Sequence, residues 1–313
     1  MFLFAIPVLM GLTVATQTAV NSRLGKYTKT PFMASAISFS VGALFLLILM
    51  VATKTPILIP LTTFAHNPWW LWIVGFTGAF GLTVNILLFP RLGSVQTAVL
   101  PIFGQILAGT LVDQFGLFYS PISQITPLKL LGLVLVLLGM LAAVALGNKN
   151  KLTTTTNRNG SQIFWQLLGI FAGLVIGFQT AINGRLGTVL HSPIKATFVA
   201  FLIGAITLSL ITMFLGTPVK ERFHSIGHGL SKGEWWILLG GICGSLYIFF
   251  SAWLVPLIGT GQVIVIALFG QLLFSAVIDQ LGMFHAVKRS MSLIKVIGLI
   301  VMLAGVVIIR FMA

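Results

Sequence analysis

Charge is what this sequence has least of. Of 313 residues, eighteen are Lys or Arg and four are acids, namely Asp113, Glu221, Glu234 and Asp279. Roughly a quarter of a soluble domain is charged, so a water-soluble fold of this length could not cover its surface. That excludes a soluble enzyme, a secreted disulfide scaffold and a disordered chain. Cysteine is nearly missing too. Cys243 stands alone inside an apolar run, which leaves neither a disulfide framework nor a cysteine metal cluster. No HExxH, GxSxG or Walker A motif occurs, so hydrolytic and nucleotide-driven chemistry have no visible apparatus. The five histidines, His66, His191, His224, His228 and His285, lie in or beside loops. His224 and His228 are four apart with no third ligand near in sequence, whereas catalytic zinc usually takes three protein ligands. They read as a solvated surface pair, and no metal or cofactor is expected.

Apolar sequence is what the chain has in abundance. Hydrophobic residues make up 58%, and mean hydropathy is +1.08. A bilayer core needs about 20 mostly apolar residues per helix. Ten runs qualify, near 2–22, 32–52, 69–89, 94–113, 129–147, 164–184, 194–215, 235–256, 260–279 and 294–312. The sequence predicts an all-α polytopic membrane protein with ten transmembrane helices. The first run carries Gln17 and Asn21 and leads into further spans, so it reads as a membrane helix, not a cleavable signal. The polar stretch 148–161 is the only real linker, dividing the chain into five-helix units 1–147 and 162–313. The net charge of +14 then reflects short basic loops, and nucleic acid is not an expected partner.

The two units are repeats. Residues 11–25 match 173–187 at nine positions of fifteen, and 102–118 match 268–284 at eight of seventeen. The offset grows from 162 to 166 because the loop after the seventh span is longer than its counterpart after the second. Such self-similarity marks internal duplication. Five is an odd number of crossings, so the second unit enters the membrane from the opposite side. The expected geometry is two inverted-topology repeats, an arrangement that secondary transporters use to build a site between halves. One predicted face collects thirteen Lys and Arg and the other five. The basic bias places the first face in the cytoplasm and both termini outside, in a multi-pass protein of the cytoplasmic membrane.

The segment from Gln17 through Asn21 to Gly25, then Ala34–Gly42, then Gly104-Gln105 with Asp113-Gln114 and Gly116, resembles the YdcZ-type branch of the drug/metabolite transporter superfamily. Both halves carry the pattern, so the resemblance covers nearly the whole chain. Short five-helix members of that branch are thought to pair in opposite orientations, and this chain looks like a fused pair. The resemblance implies secondary transport of small metabolites through a cavity between the halves, lined by their first, third and fourth helices. It implies no particular substrate. Small multidrug transporters of the superfamily carry a proton-coupling glutamate in their first helix. Neither span 2–22 nor span 164–184 contains a carboxylate, which departs from that device.

Polar side chains at membrane depth face protein or a water-filled cavity. Gln17 and Asn21 are four apart and share a helix face, and Gln179 and Asn183 repeat them. Gln105 and Gln271 fall mid-span, each directly after a glycine. These six are the candidate substrate contacts, offering amide donors and acceptors to a small polar or amphipathic solute. Interhelical hydrogen bonding, worth about 0.6 kcal/mol per bond on average, is the competing role. The glycines near 75–81 and 240–244 read as close-packing sites, and Trp69, Trp70, Trp235 and Trp236 as interfacial anchors. For the mouths of the cavity the sequence predicts two ion pairs, Arg185 with Asp113 and Arg23 with Asp279, opening alternately as gates. The aspartates' simpler role is to face headgroups or satisfy a nearby loop amide. The expected function is alternating-access transport, with a passive channel or an intramembrane lipid-modifying enzyme as rivals. The expected partners are a small-molecule solute and the lipid bilayer, and a fused pair could work as a monomer.

Overall fold

A computed structural model describes residues 2–144, 160–285 and 291–311, and the regular structure among them is helical throughout. The predicted linker 148–161 falls almost wholly outside the described residues. In the first half lie α1 (Phe2–Thr28), α2 (Pro31–Ala52), the short α3 (Leu61–Ala65), α4 (Val74–Phe115) and α5 (Pro127–Val144). In the second lie α6 (Gly160–Val189), α7 (Pro193–Phe214), α8 (Val219–Ser231), α9 (Leu239–Ile258), α10 (Thr260–Leu281) and α11 (Leu293–Phe311). Among the described residues six helical segments are long and apolar enough to cross a membrane: Pro31–Ala52, Pro127–Val144, Gln162–Val189, Pro193–Phe214, Trp235–Ile258 and Thr260–Leu281. Val99–Phe115 and Leu293–Ile309 are shorter apolar segments.

Local chemistry sets the helix boundaries, and it does so twice. Thr30 caps α2, accepting from the Met33 amide at 3.4 Å, and Ser192 caps α7, accepting from Lys195 at 3.3 Å. Both caps precede a proline at the first helical position, where its missing N–H is no loss. At the other end Gly116 and Gly282 take left-handed φ values of 62° and 68°, stopping α4 and α10. Trp69–Ile73 and Trp235–Leu238 form matching 3₁₀ turns that lead into α4 and α9. Trp70 packs on Phe118 as Trp236 packs on Phe284, with ring centroids 5.2 and 5.6 Å apart.

The predicted spans 69–89 and 94–113 fall together in the 42-residue segment α4. Its two ends nevertheless lie side by side. A Cβ built on Gly169 of α6 would stand 3.1 Å from Leu88 and 3.2 Å from Leu100, although a straight helix would separate those residues by about 18 Å. Gly81 likewise faces Ile176 while Ala108 faces the adjacent Gly177. The helix therefore doubles back between Leu88 and Leu100, where the sequence carries Pro90 and Gly93, the residue types that bend helices. One arm of α4 runs antiparallel to α6 and the other parallel to it.

The second half treats α1 in the same way. Gly244 and Gly240 of α9 face Gln17 and Asn21, while Gly270 of α10 sits on Val8. The correspondence extends to single residues. Gly104 against Ile170 matches Gly270 against Val8, and Gly173 against Pro101 matches Gly11 against Ala267. Gly75 against Gly204 matches Gly241 against Gly42. The first helix of each half is thus seated on the other half, backbone to backbone at glycines. A shared core where α4, α5, α10 and α11 meet holds Ile102, Val136, Met140, Ile264 and Met302.

Candidate functional site

Four of the six amide side chains picked from the sequence lie in two separate pairs, Gln17 with Asn21 on α1 and Gln179 with Asn183 on α6. Gln179 is buried and crosses Gly78, whose added Cβ would stand 2.9 Å from its Nε2. Gln17 crosses Gly244 in the other half and is half-buried. The absence of a Cβ at both crossings leaves room for the amide, which a side chain there would have to displace. One turn on, Asn21 donates to Ser38 Oγ at 3.2 Å, while its Oδ1 is buried without a protein partner. Asn183 is wholly buried, and neither its Nδ2 nor its Oδ1 finds a protein partner. Buried amides are normally satisfied, and lipid offers no substitute. Among the described residues Asn183 therefore stands out as a buried amide with neither of its polar atoms partnered.

Gln105 and Gln271 are half-buried. Their backbones are pressed by Gly177 and Gly11 of the opposite half, so these turns are close-packed contacts between halves. Nearby polar groups that sequence reasoning passed over are Gln262, whose Oε1 is buried without a partner, and Ser251, whose hydroxyl is too. Gln166 donates to Gln96 at 3.0 Å, joining α6 to α4. These residues lack a motif, and only tertiary placement singles them out.

The two predicted gate pairs do not form. Asp113 is fully buried and accepts from the backbone amides of Thr260 at 2.8 Å and Gly261 at 2.9 Å. It caps α10, whose first turn carries unsatisfied N–H groups and a partial positive charge. The break before α10 is made by Gly259, at φ 86°. Ser120 reinforces the joint through Thr260 Oγ1 at 2.9 Å. Arg185 instead lies over the Tyr119 ring, 4.1 Å from its centroid. The amides of a helix start outcompete the arginine because they are already inside the protein and point at the carboxylate.

At the opposite end Arg23 pairs with Glu234, not Asp279. Its Nε donates to Oε2 at 2.9 Å and its Nη2 to Oε1, while Tyr27 donates its hydroxyl to Oε2 at 2.9 Å. Hydrogen bonding from Arg23, followed by that from Tyr27, holds the Glu234 carboxyl down at about 2. Asp279 faces Lys295 at 3.6 Å, and 36% of its side chain is exposed. Asp113 and Asp279 occupy equivalent repeat positions, yet one is a buried cap and the other a half-open ion pair. Lys129, equivalent to Lys295, is buried and donates to the Ser123 carbonyl at 2.8 Å and hydroxyl at 3.0 Å. Repetition of these two lysines was a usable sequence signal; the place of Glu234 beside Arg23 was not.

Comparison with known proteins fits this repeated architecture. The chain is 24% identical over 229 residues to the "Uncharacterized transporter YyaM" of Bacillus subtilis (strain 168), covering 70% of this chain and 68% of that protein. A solved structure titled only as the crystal structure of a protein superposes with a TM-score of 0.68 over 98% of both chains, at 14% identity. That similarity establishes the fold alone. The family described as "Putative inner membrane exporter, YdcZ" matches residues 2–142 and again 164–308. This protein is a member of that family of multi-pass membrane transporters, carrying the family unit twice in one chain.

Proposed function

We propose that the protein is a secondary-active carrier for a small polar or amphipathic metabolite, working by alternating access between two inverted five-helix repeats with ten crossings. The orientation preferred by the basic loops puts both termini outside. The observation that carries this reading is the unequal use of equivalent residues. Asp113 is buried on the amides that start α10, while Asp279 is 36% exposed beside Lys295. A duplicated molecule held in one asymmetric state has a second state of similar energy, in which the halves exchange roles. In that state Asp279 takes the capping position opposite Ser94 and Val95, the equivalents of Thr260 and Gly261, and Asp113 opens.

Solute contact falls to the amides. Asn183 and Asn21 carry unpartnered polar atoms, Gln17 and Gln179 line the glycine crossings, and Gln105 and Gln271 mark the mid-depth of the two halves. Arg23, Asp113, Arg185 and Asp279 then act at the mouths through the partners described above, not through each other. The chain is expected to work as a monomer.

The test is counterflow in liposomes. Protein reconstituted with a panel of metabolites should show saturable uptake stimulated by the same solute inside. Asn183→Leu should cut that uptake at least about tenfold, as expected when a buried polar contact worth about 1.4 kcal/mol or more is lost, with the protein still monodisperse. Folded protein that moves no member of the panel counts against the carrier, and unitary currents would establish the channel in its place.

A further inference from the structure

Away from the amides and the two mouths, the structure holds a cavity of about 500 Å³ that the transport reading does not use. It lies between the start of α2 and the end of α7, roofed by α8, with Met33, Ile37, Thr212, Phe223, Ile226 and Leu230 on its walls. The lining is almost wholly apolar. The helix α8 is what creates it. Phe223, Ile226 and Leu230 recur at spacings of three and four, the pattern of an amphipathic helix, and Ile226 is anchored in a core with Leu24 and Ile237. The first half has only the five-residue α3 at this place in its repeat. The roof of the cavity therefore comes from the second half alone and has no equivalent of its length in the first.

Its edges have a definite chemistry. Phe223 and Met213 are 56% and 68% exposed, continuing the apolar wall outward. The same helix carries Lys220 and Arg222, and Lys232 follows at its end. Lys220 and Lys232 are exposed, and the Arg222 Nε is buried without a protein partner. The acids do not neutralise this edge: Glu221 is single and exposed, and Glu234 is engaged by Arg23 and Tyr27. An apolar slot with a cationic rim, roofed by an amphipathic helix, matches a two-part ligand with a hydrocarbon tail and an anionic head.

We propose that this cavity is a lipid site, holding one acyl chain of an anionic glycerophospholipid from the leaflet on the cation-rich side, with the phosphate at Lys220 and Arg222. Gly227 supplies a clean test. It lines the cavity, and a Cβ there meets nothing within 4 Å, so the helix accepts a side chain that grows from a slot-lining position.

The experiment is native mass spectrometry of the full-length protein in detergent, with equal dioleoylphosphatidylglycerol and dioleoylphosphatidylcholine. The wild type should retain one phosphatidylglycerol in preference to phosphatidylcholine by about tenfold or more, the scale set by two cations near one phosphate. Gly227→Leu should lose most retention of both lipids. Lys220→Gln with Arg222→Gln should bring the two lipids to near parity while a lipid is still retained. Should Gly227→Leu not give monodisperse protein, Ser209→Leu on the α7 wall is judged by the same standard. Equal retention of the two lipids by the wild type overturns the proposal, as does wild-type phosphatidylglycerol retention in the slot-filling variant.

Discussion

Asp113 and Asp279 are the same residue of the repeat in different surroundings, and mutation should separate them. Asp113→Ala removes the acceptor from two buried amides, those of Thr260 and Gly261. A buried donor left unsatisfied costs about 1–3 kcal/mol. Asp279→Ala breaks only a partly exposed pair with Lys295, worth about 0–1 kcal/mol. Unfolding in detergent, followed by circular dichroism, should rank Asp113→Ala well below Asp279→Ala; equal losses would mean that the cap carries little of the fold's stability. Glu234 gives a second expectation at this scale. Its folded carboxyl is held at about 2 against an ordinary 4.5, so folding favours its charged form. The stability it contributes is complete above pH 4.5 and is lost as pH falls toward 2. Glu234→Gln should therefore lose less melting temperature than the wild type between pH 6 and pH 3, and a drop as steep as the wild type's would show that other groups set the acid limb.

Among the elements, the glycine crossings decide how closely helices approach. A Cβ on Gly104 would run into the Ile170 carbonyl, and one on Gly270 into the Val8 carbonyl. Neither neighbour can step aside, since both are backbone. Gly104→Ala and Gly270→Ala should each destabilise by about 1–3 kcal/mol, the usual cost of overpacking. Gly25, also helical, has open space around its would-be Cβ, so Gly25→Ala should be neutral or stabilise by up to about 1 kcal/mol through helix propensity. The same detergent unfolding assay ranks the three. Such close approach is how membrane helices associate without a hydrophobic drive between them, which accounts for glycine at these crossings.

For the whole molecule, each half supplies the seat for the other's first helix. Residues 1–147 expressed alone leave α1 without α9 and α10, and residues 148–313 alone leave α6 without both arms of α4. Co-expressed halves bearing one affinity tag should copurify as a complex, whereas either half alone should aggregate or be degraded. A half that is stable and monodisperse by itself would show that the exchanged seating adds little.

The sequence by itself determined the solvent, the helical class and the duplication, because these follow from composition, run length and self-similarity. It also marked Gly104, Gly270, Gln17 and Gln179, since close packing and amides at helix crossings keep the same residue types in both halves. It could not determine ionic partners. Whether Asp113 meets Arg185 or an amide depends on where α10 begins, and that break at Gly259 becomes a cap only when α4 is laid against it. Arg23 found Glu234 across 211 residues of chain, in a segment with no counterpart acid in the other half. The doubling back of α4 and the slot beneath α8 are likewise tertiary facts. They arise from how helices are seated on one another, and hydropathy along a chain does not encode which faces meet.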